Sequence, residues 1–283
     1  MGNIRDSVYL GKKEQYDAKL KLLAQSAQPE IWTFRNLKES DPFRILRSYF
    51  HFTYDRVEEE GKIIFSSDGQ YSCMNTGLLT KHDEELVALF SRSNNPDYLP
   101  WYLVGFFSEI HKSFRDNFSR VPEIANYCKN ASDLIFDSNL EIFADSTNKE
   151  HIIEDNFERF RRIGYDNKQL IEVMLDNALL KLKKKLLRNF KLALPFYYHN
   201  TETKNNKIQL LVPVYFPGNS PVKLALVLDK STRNDGSQYY NAITVLPVEW
   251  AYMNARVIVK PDEEWARIID EIDVSEKDDI IFD

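Results

Sequence analysis

Ile208-Gln209-Leu210-Leu211-Val212-Pro213-Val214, Leu224-Ala225-Leu226-Val227-Leu228 and Ala242-Ile243-Thr244-Val245-Leu246 are three apolar runs set close together in the chain. Gly218-Asn219-Ser220-Pro221 and Arg233-Asn234-Asp235-Gly236 separate them. Short branched runs joined by turn-forming links predict sequential strands in an antiparallel meander. Ala255 to Val259 reads as a fourth strand, after an interruption at Pro247 and Glu249. Upstream lies a basic helix end, Lys181-Leu182-Lys183-Lys184-Lys185-Leu186-Leu187-Arg188-Asn189-Phe190-Lys191, and then a break at Pro195 followed by Phe196-Tyr197-Tyr198.

Working outward, the same change of period recurs. Asn167 to Leu192 predicts the longest helix, with Leu170, Val173, Met174, Leu175, Ala178, Leu182 and Leu186 at apolar positions and Asp166 or Asn167 as its cap. Glu150 to Ile163 and residues 122 to 133 also read as helical, and Glu263 to Ile272 as a helix before an acidic end. Towards the N-terminus, Lys62–Ser67 and Gln70–Met74 flank Asp68-Gly69, which predicts a hairpin with a two-residue turn. Leu86–Phe90 and Trp101–Phe107 read as strands joined by an Asn- and Pro-rich loop. Asp41-Pro42 predicts the start of a helix, with Asp41 as cap and Pro42 at its first position. Residues 5 to 25 predict an amphipathic helix on the surface, apolar at Val8, Tyr9, Tyr16, Leu20 and Leu23.

The expected fold is α+β: a largely antiparallel sheet with a C-terminal meander, packed against N-terminal and central helices. No repeat, low-complexity segment or Gly/Ser linker divides the 283 residues, so one domain over 1–283 is expected. Within it, 1–45 would be a peripheral helical segment, 46–265 the core and 266–283 an acidic tail. At 43% hydrophobic and 13% aromatic residues the chain has enough apolar material to pack rather than stay disordered. A net charge of −6 makes the surface as a whole unattractive to nucleic acid, so a polyanion site must be a local patch. Cys73 and Cys128 are the only cysteines, which excludes a disulfide framework. With no basic-then-apolar leader and no apolar run of about 18 residues, a cytoplasmic protein without membrane contact is expected.

Three constellations carry possible chemistry, each with a structural reading beside it. The first is the basic helix end. Cations there either favour the helix dipole as a solvated face or contact phosphate, with Arg188 and Lys191 on one face and Asn189 beside them. Tyr197 and Tyr198 follow, either as a base-stacking platform or as the start of a core strand. The second is Asn75-Thr76-Gly77, an ordinary turn or a close backbone approach with neutral hydrogen-bonding groups. The third is Tyr252-Met253-Asn254-Ala255-Arg256, read as a strand with Tyr252, Asn254 and Arg256 on one face. Arg256 would then meet a carboxylate such as Asp229, or a ligand phosphate. The five histidines show no zinc spacing. His82 with Asp83, Glu84 and Glu85 reads as a solvated loop, and no metal site is assigned. Walker, dinucleotide-binding, nucleophile-elbow and kinase signatures are absent, and no cofactor is assigned.

These runs together resemble a mainly bacterial family known as domain of unknown function 3825. The resemblance rests on Asn75-Thr76-Gly77-Leu78, Arg188-Asn189-Phe190-Lys191, Pro195 with Tyr197-Tyr198, Gln209–Pro213, Ala225–Val227 and Ala251–Arg256, and spans roughly 45 to 265. Phe190 stands where the family pattern has Tyr. Members are associated with predicted RNA-binding modules, so the resemblance implies a nucleotide or single-stranded RNA ligand. The expectation is therefore an RNA- or nucleotide-binding protein. Arg188, Lys191 and Arg256 would hold phosphate, Asn75, Thr76, Gly77, Asn189 and Asn254 would orient it, and Tyr197 or Tyr198 would stack on a base. As an enzyme it would hydrolyse or transfer a nucleotide or phosphodiester, with His151 as general base. The alternative is a non-catalytic regulatory or assembly protein whose polar cluster is structural.

Overall fold

Asn3 begins the described chain as a helix cap, its side chain accepting from the Arg5 amide. The computed structural model describes residues 3–35, 41–95, 97–199, 206–218 and 222–271. Where one amphipathic helix is expected, three elements occur: α1 (Ile4–Ser7), β1 (Val8–Tyr9) and α2 (Lys13–Ser26). Gly11, at φ +104, makes the break, a conformation side chains other than glycine rarely adopt. The segment is not peripheral, because Ile4 and Leu20 are fully buried.

Next come α3 (Arg44–Glu59), β2 (Ile64–Phe65), β3 (Tyr71–Leu79), β4 (Glu85–Arg92), β5 (Trp101–Ser108) and α4 (Lys112–Arg115). α3 starts two residues later than Asp41 predicts, behind Phe43. The strands form a sheet in the order β1-β5-β4-β3-β2, antiparallel except for β1 on β5. The expected hairpin exists, but its turn is longer than two residues. Ser66 N–H donates to the Tyr71 carbonyl at 2.9 Å, and Asp68 accepts from Ser66 Oγ and the Gln70 amide.

Residues 122 to 130 are not helical. Their backbone groups are satisfied from outside instead. The Pro122 carbonyl accepts from Asn75, the Ile124 carbonyl from Lys62 and the Asn126 carbonyl from Arg56. A segment whose carbonyls are held this way has no use for a helical ladder.

The second half contains a short 3-10 turn at Ala131–Leu134, then β6 (Glu141–Phe143), α5 (Ser146–Asp155), α6 (Phe157–Arg162) and α7 (Lys168–Leu186). Asn156 separates α5 from α6, and Asn167 caps α7 by accepting from the Leu170 amide at 2.9 Å. A 3-10 turn at Phe190–Leu192 leads to β7 (Leu194–Tyr198), β8 (Lys207–Val214), β9 (Leu224–Thr232) and β10 (Gln238–Pro247). The meander β8-β9-β10 is present and antiparallel, with β7 added at one edge and β6 parallel at the other. Leu210, Val212, Leu226 and Leu228 face the core under α5, α6 and α7. Leu211, Ala225 and Val227 alternate with them and are buried too. Burial on both faces explains why these strands read as unbroken apolar runs.

The expected fourth strand, Ala255 to Val259, does not form: Ala255 and Arg256 end a helix, α8 (Val248–Arg256), and 257–259 turn towards α9 (Glu263–Glu271). Val248, Ala251, Tyr252 and Ala255 are buried at helical spacing, and Pro247 ends the preceding strand. The overall class is α+β, as expected, with two mixed five-stranded sheets among the described residues. They belong to two compact units, Met1–Tyr127 and Cys128–Asp283. No Gly- or Ser-rich linker marks the division, so composition alone reads as continuous. Among the described residues no helix is long and apolar enough to cross a membrane.

Candidate functional site

Asn75, Thr76 and Gly77 lie in the Met1–Tyr127 unit, where the register of β3 on β4 slips between Asn75 and Leu78. Asn75 donates to the Glu85 carboxylate and, at 3.0 Å, to the Pro122 carbonyl, and accepts from the Gly77 amide at 2.9 Å. Thr76 donates to the Leu86 carbonyl at 2.6 Å. Gly77 has φ +71, and a Cβ there would sit 2.8 Å from the Tyr49 hydroxyl. That hydroxyl donates to the Thr76 carbonyl at 2.6 Å. The turn is a β-bulge whose polar groups are taken up within the fold.

The remaining sequence-selected residues lie in the Cys128–Asp283 unit. Arg188 is exposed and donates back to the Lys184 carbonyl at 2.7 Å, closing the end of α7. Asn189 accepts from the Lys191 amide at 3.2 Å and donates to Glu264 of α9 at 3.0 Å. Tyr215 donates to the other Glu264 oxygen at 3.3 Å, and the Lys185 ammonium stands 3.0 Å from the Tyr215 ring centroid. Burial pushes the Tyr215 phenol up to about 12, and the Glu264 charge adds to the effect. Trp265 donates to the Leu192 carbonyl at 2.9 Å. The Arg188–Lys191 motif thus anchors α9, while the Lys191 side chain is exposed and Phe190 is half-exposed.

Tyr197 is half-buried and Tyr198 exposed, on neighbouring positions of β7 and therefore opposite faces. Tyr252, Asn254 and Arg256 are not aligned on a strand. In α8, Tyr252 and Arg256 are four residues apart and share a face, while Asn254 points elsewhere. Arg256 is buried and engaged within the fold. Asp229 pairs with Lys207 at 2.7 Å and Gln209 at 3.1 Å. His151 is exposed on α5, and Glu154 binds Lys168. Among the described residues no group of three or more His, Cys, Asp or Glu is placed to hold a metal.

The sequence did not single out the cavity of the Met1–Tyr127 unit. It measures about 560 Å³ and is walled by Arg5, Val8, Tyr9, Leu10, Gly11, Lys13, Tyr16, Asp41, Arg47 and Leu99. The break at Gly11 turns the chain so that α1, β1 and the start of α2 surround it. Three cations and one carboxylate line it. Arg47 donates to Asp17 and, at 3.1 Å, to Asp41, and lies over the Tyr16 ring at 4.9 Å. Arg5 makes no ion pair among the described residues, and Tyr9 is 52% exposed. Beneath the wall, the Tyr16 hydroxyl meets His51 Nε2 at 3.0 Å. Burial, then the charges of Arg5 and Arg47, lower the His51 pKa to about 3. Burial raises the Tyr16 phenol well above its ordinary value. A legible signal existed: Arg5, Tyr9 and Lys13 recur at four-residue spacing, within the stretch expected to form one amphipathic helix.

No curated protein and no solved structure matches the chain. The family profile for a domain of unknown function, DUF3825, matches residues 23–265, which include α3, both sheets apart from β1, and α8. By that match the chain belongs to the DUF3825 family.

Proposed function

We propose that the chain binds a nucleotide, either free or as the terminal residue of a single-stranded RNA, in the cavity of the Met1–Tyr127 unit. One observation carries the reading: a cavity of about 560 Å³ combines Arg5, Lys13 and Arg47 with an exposed tyrosine, Tyr9, on its wall. That volume falls within the range of small-ligand sites. Phosphate suits Arg5 and Lys13, because charge-assisted hydrogen bonds are about twice as strong as neutral ones. Tyr9 offers a flat apolar face to a base, worth about 1–3 kcal/mol in stacking. Asp17 and Asp41 hold Arg47 over Tyr16, so this cation arrives in a fixed position.

A thermal-shift panel tests the proposal, with nucleoside mono-, di- and triphosphates, the parent nucleosides and a 5′-phosphorylated oligoribonucleotide. Ligand at one hundred times its dissociation constant stabilises the unit that binds it by about 2.7 kcal/mol. The expected result is stabilisation by phosphorylated members and little by nucleosides. Equal response to both, or none at all, contradicts the proposal. A response only to the oligonucleotide assigns the RNA form.

A further inference from the structure

α7 has two apolar faces. Ile171, Leu175, Ala178, Leu182 and Leu186 pack into the core of the Cys128–Asp283 unit. On the opposite side Leu170 is 51% exposed, Val173 64%, Leu180 69% and Leu187, just past the helix end, 56%. Core packing accounts for the first face and leaves the second without a function. Their spacing of three and then seven residues is that of alternating a and d seam positions. Asn177 and Lys184 fill the two remaining seam sites. Scattered single apolar side chains on a surface are ordinary, but four in register along about 27 Å of helix are a stripe.

We infer that α7 is a self-association surface on which a second copy of this chain packs antiparallel, its seam running from Leu170 to Leu187. Charge selects both the occupant and its direction. Glu172 and Asp176 lie in the first half of α7, where Lys168 at its start is held by Glu154, and Lys181, Lys183 and Lys184 lie in the second half with Arg188 just past its end, all exposed. Parallel pairing sets Lys184 on its own copy in the seam and brings the two basic halves together. Antiparallel pairing sets each acidic half against the other copy's basic half, although Asp176 also holds Lys149 at 2.8 Å. The contact is isologous, so the same stripe closes on itself and growth stops at two chains. Leu170 then meets the partner's Leu187, Val173 the partner's Lys184, and Asn177 the partner's Leu180. The inference is independent of the nucleotide proposal, since every residue in it lies in the other unit.

Sedimentation equilibrium of the full chain over a hundredfold concentration range tests it. The expected mass rises towards two chains. Leu180→Glu and Val173→Glu each raise the apparent dissociation constant at least tenfold, with unchanged circular dichroism and melting of the monomer. In a Cys128→Ser background, a mixture of Asn177→Cys and Leu180→Cys chains cross-links under mild oxidation more readily than either alone. A wild-type mass of one chain throughout overturns the inference. So does association that Leu180→Glu leaves intact, or preferential cross-linking of Asn177→Cys with itself, which is the parallel arrangement.

Discussion

The Tyr16 hydroxyl lies 3.0 Å from Nε2 of His51, and the two rings are stacked with centroids 5.9 Å apart. Tyr16 belongs to the cavity wall and His51 to the layer behind it. Burial and two guanidinium groups keep that imidazole neutral down to about pH 3. Since the folded pKa is depressed below the ordinary 6.5, the unfolded chain binds the proton first. The stability His51 contributes is complete above about pH 6.5 and falls as pH drops towards 3, by about 1.4 kcal/mol per pH unit. His51→Gln should flatten this acid limb in thermal melts between pH 6.5 and 4. An unchanged slope would show that His51 is not the group responsible.

Asp55 gives the opposite slope. It accepts from the Ile4 amide at 3.0 Å, and burial raises its carboxyl to about 7. A raised folded pKa means stability is fully present below about pH 3.8 and is lost as pH rises through 7. Asp55→Asn keeps an acceptor for Ile4 and removes the charge. Its melting temperature should gain progressively over wild type from pH 4 to pH 7 and then level off. Melts in a pH series on both proteins check this, and a gain that is constant with pH would refute it.

Gly77 is held at φ +71 against the Tyr49 hydroxyl. Gly77→Ala adds left-handed strain and a close contact, and should cost about 1–3 kcal/mol in denaturant unfolding. Gly61, at φ +66 with open space around it, is the control. Gly61→Ala should show the strain alone and a smaller loss. Equal losses would mean that the Tyr49 contact contributes nothing.

Glu264 receives both Asn189 and Tyr215. A double-mutant cycle of Asn189→Ala and Glu264→Ala, read by urea unfolding, should give a coupling of about 0.5–1.5 kcal/mol. Additive losses would mean the side chains do not act as a pair.

Much of the architecture was legible because burial writes period into sequence. The two-sided burial of β8 and β9 produced unbroken apolar runs, and the pair Asp166-Asn167 announced α7, with Asn167 proving to be the cap. The misreadings have particular causes. Tyr252 and Arg256 fit alternation as well as a four-residue step, and only the buried Val248, Ala251 and Ala255 decide for a helix. Pro122 suggested a helix start, but the segment's carbonyls are claimed by Asn75, Lys62 and Arg56, from distant parts of the chain. The candidate site was the least legible part. Asn75 and Asn189 look like ligand-orienting residues because they stand beside glycine or cations, and both turn out to shape their own backbone. The cavity draws on residues 5 to 16, on Asp41 and Arg47 and on Leu99, and no linear motif joins stretches so far apart.

Isothermal titration of a nucleoside monophosphate into the wild-type chain and into Arg5→Ala and Lys13→Ala bears most directly on the nucleotide proposal. Neither substitution removes a buried side chain, so folding should be retained. The expectation is a single saturable event in the wild type, weakened about tenfold or more by each substitution, as for a lost charge-assisted hydrogen bond of about 1.5–3 kcal/mol. No binding of either the monophosphate or a 5′-phosphorylated oligoribonucleotide to the wild type, or equal affinity in all three proteins, would contradict a phosphate seat between Arg5 and Lys13.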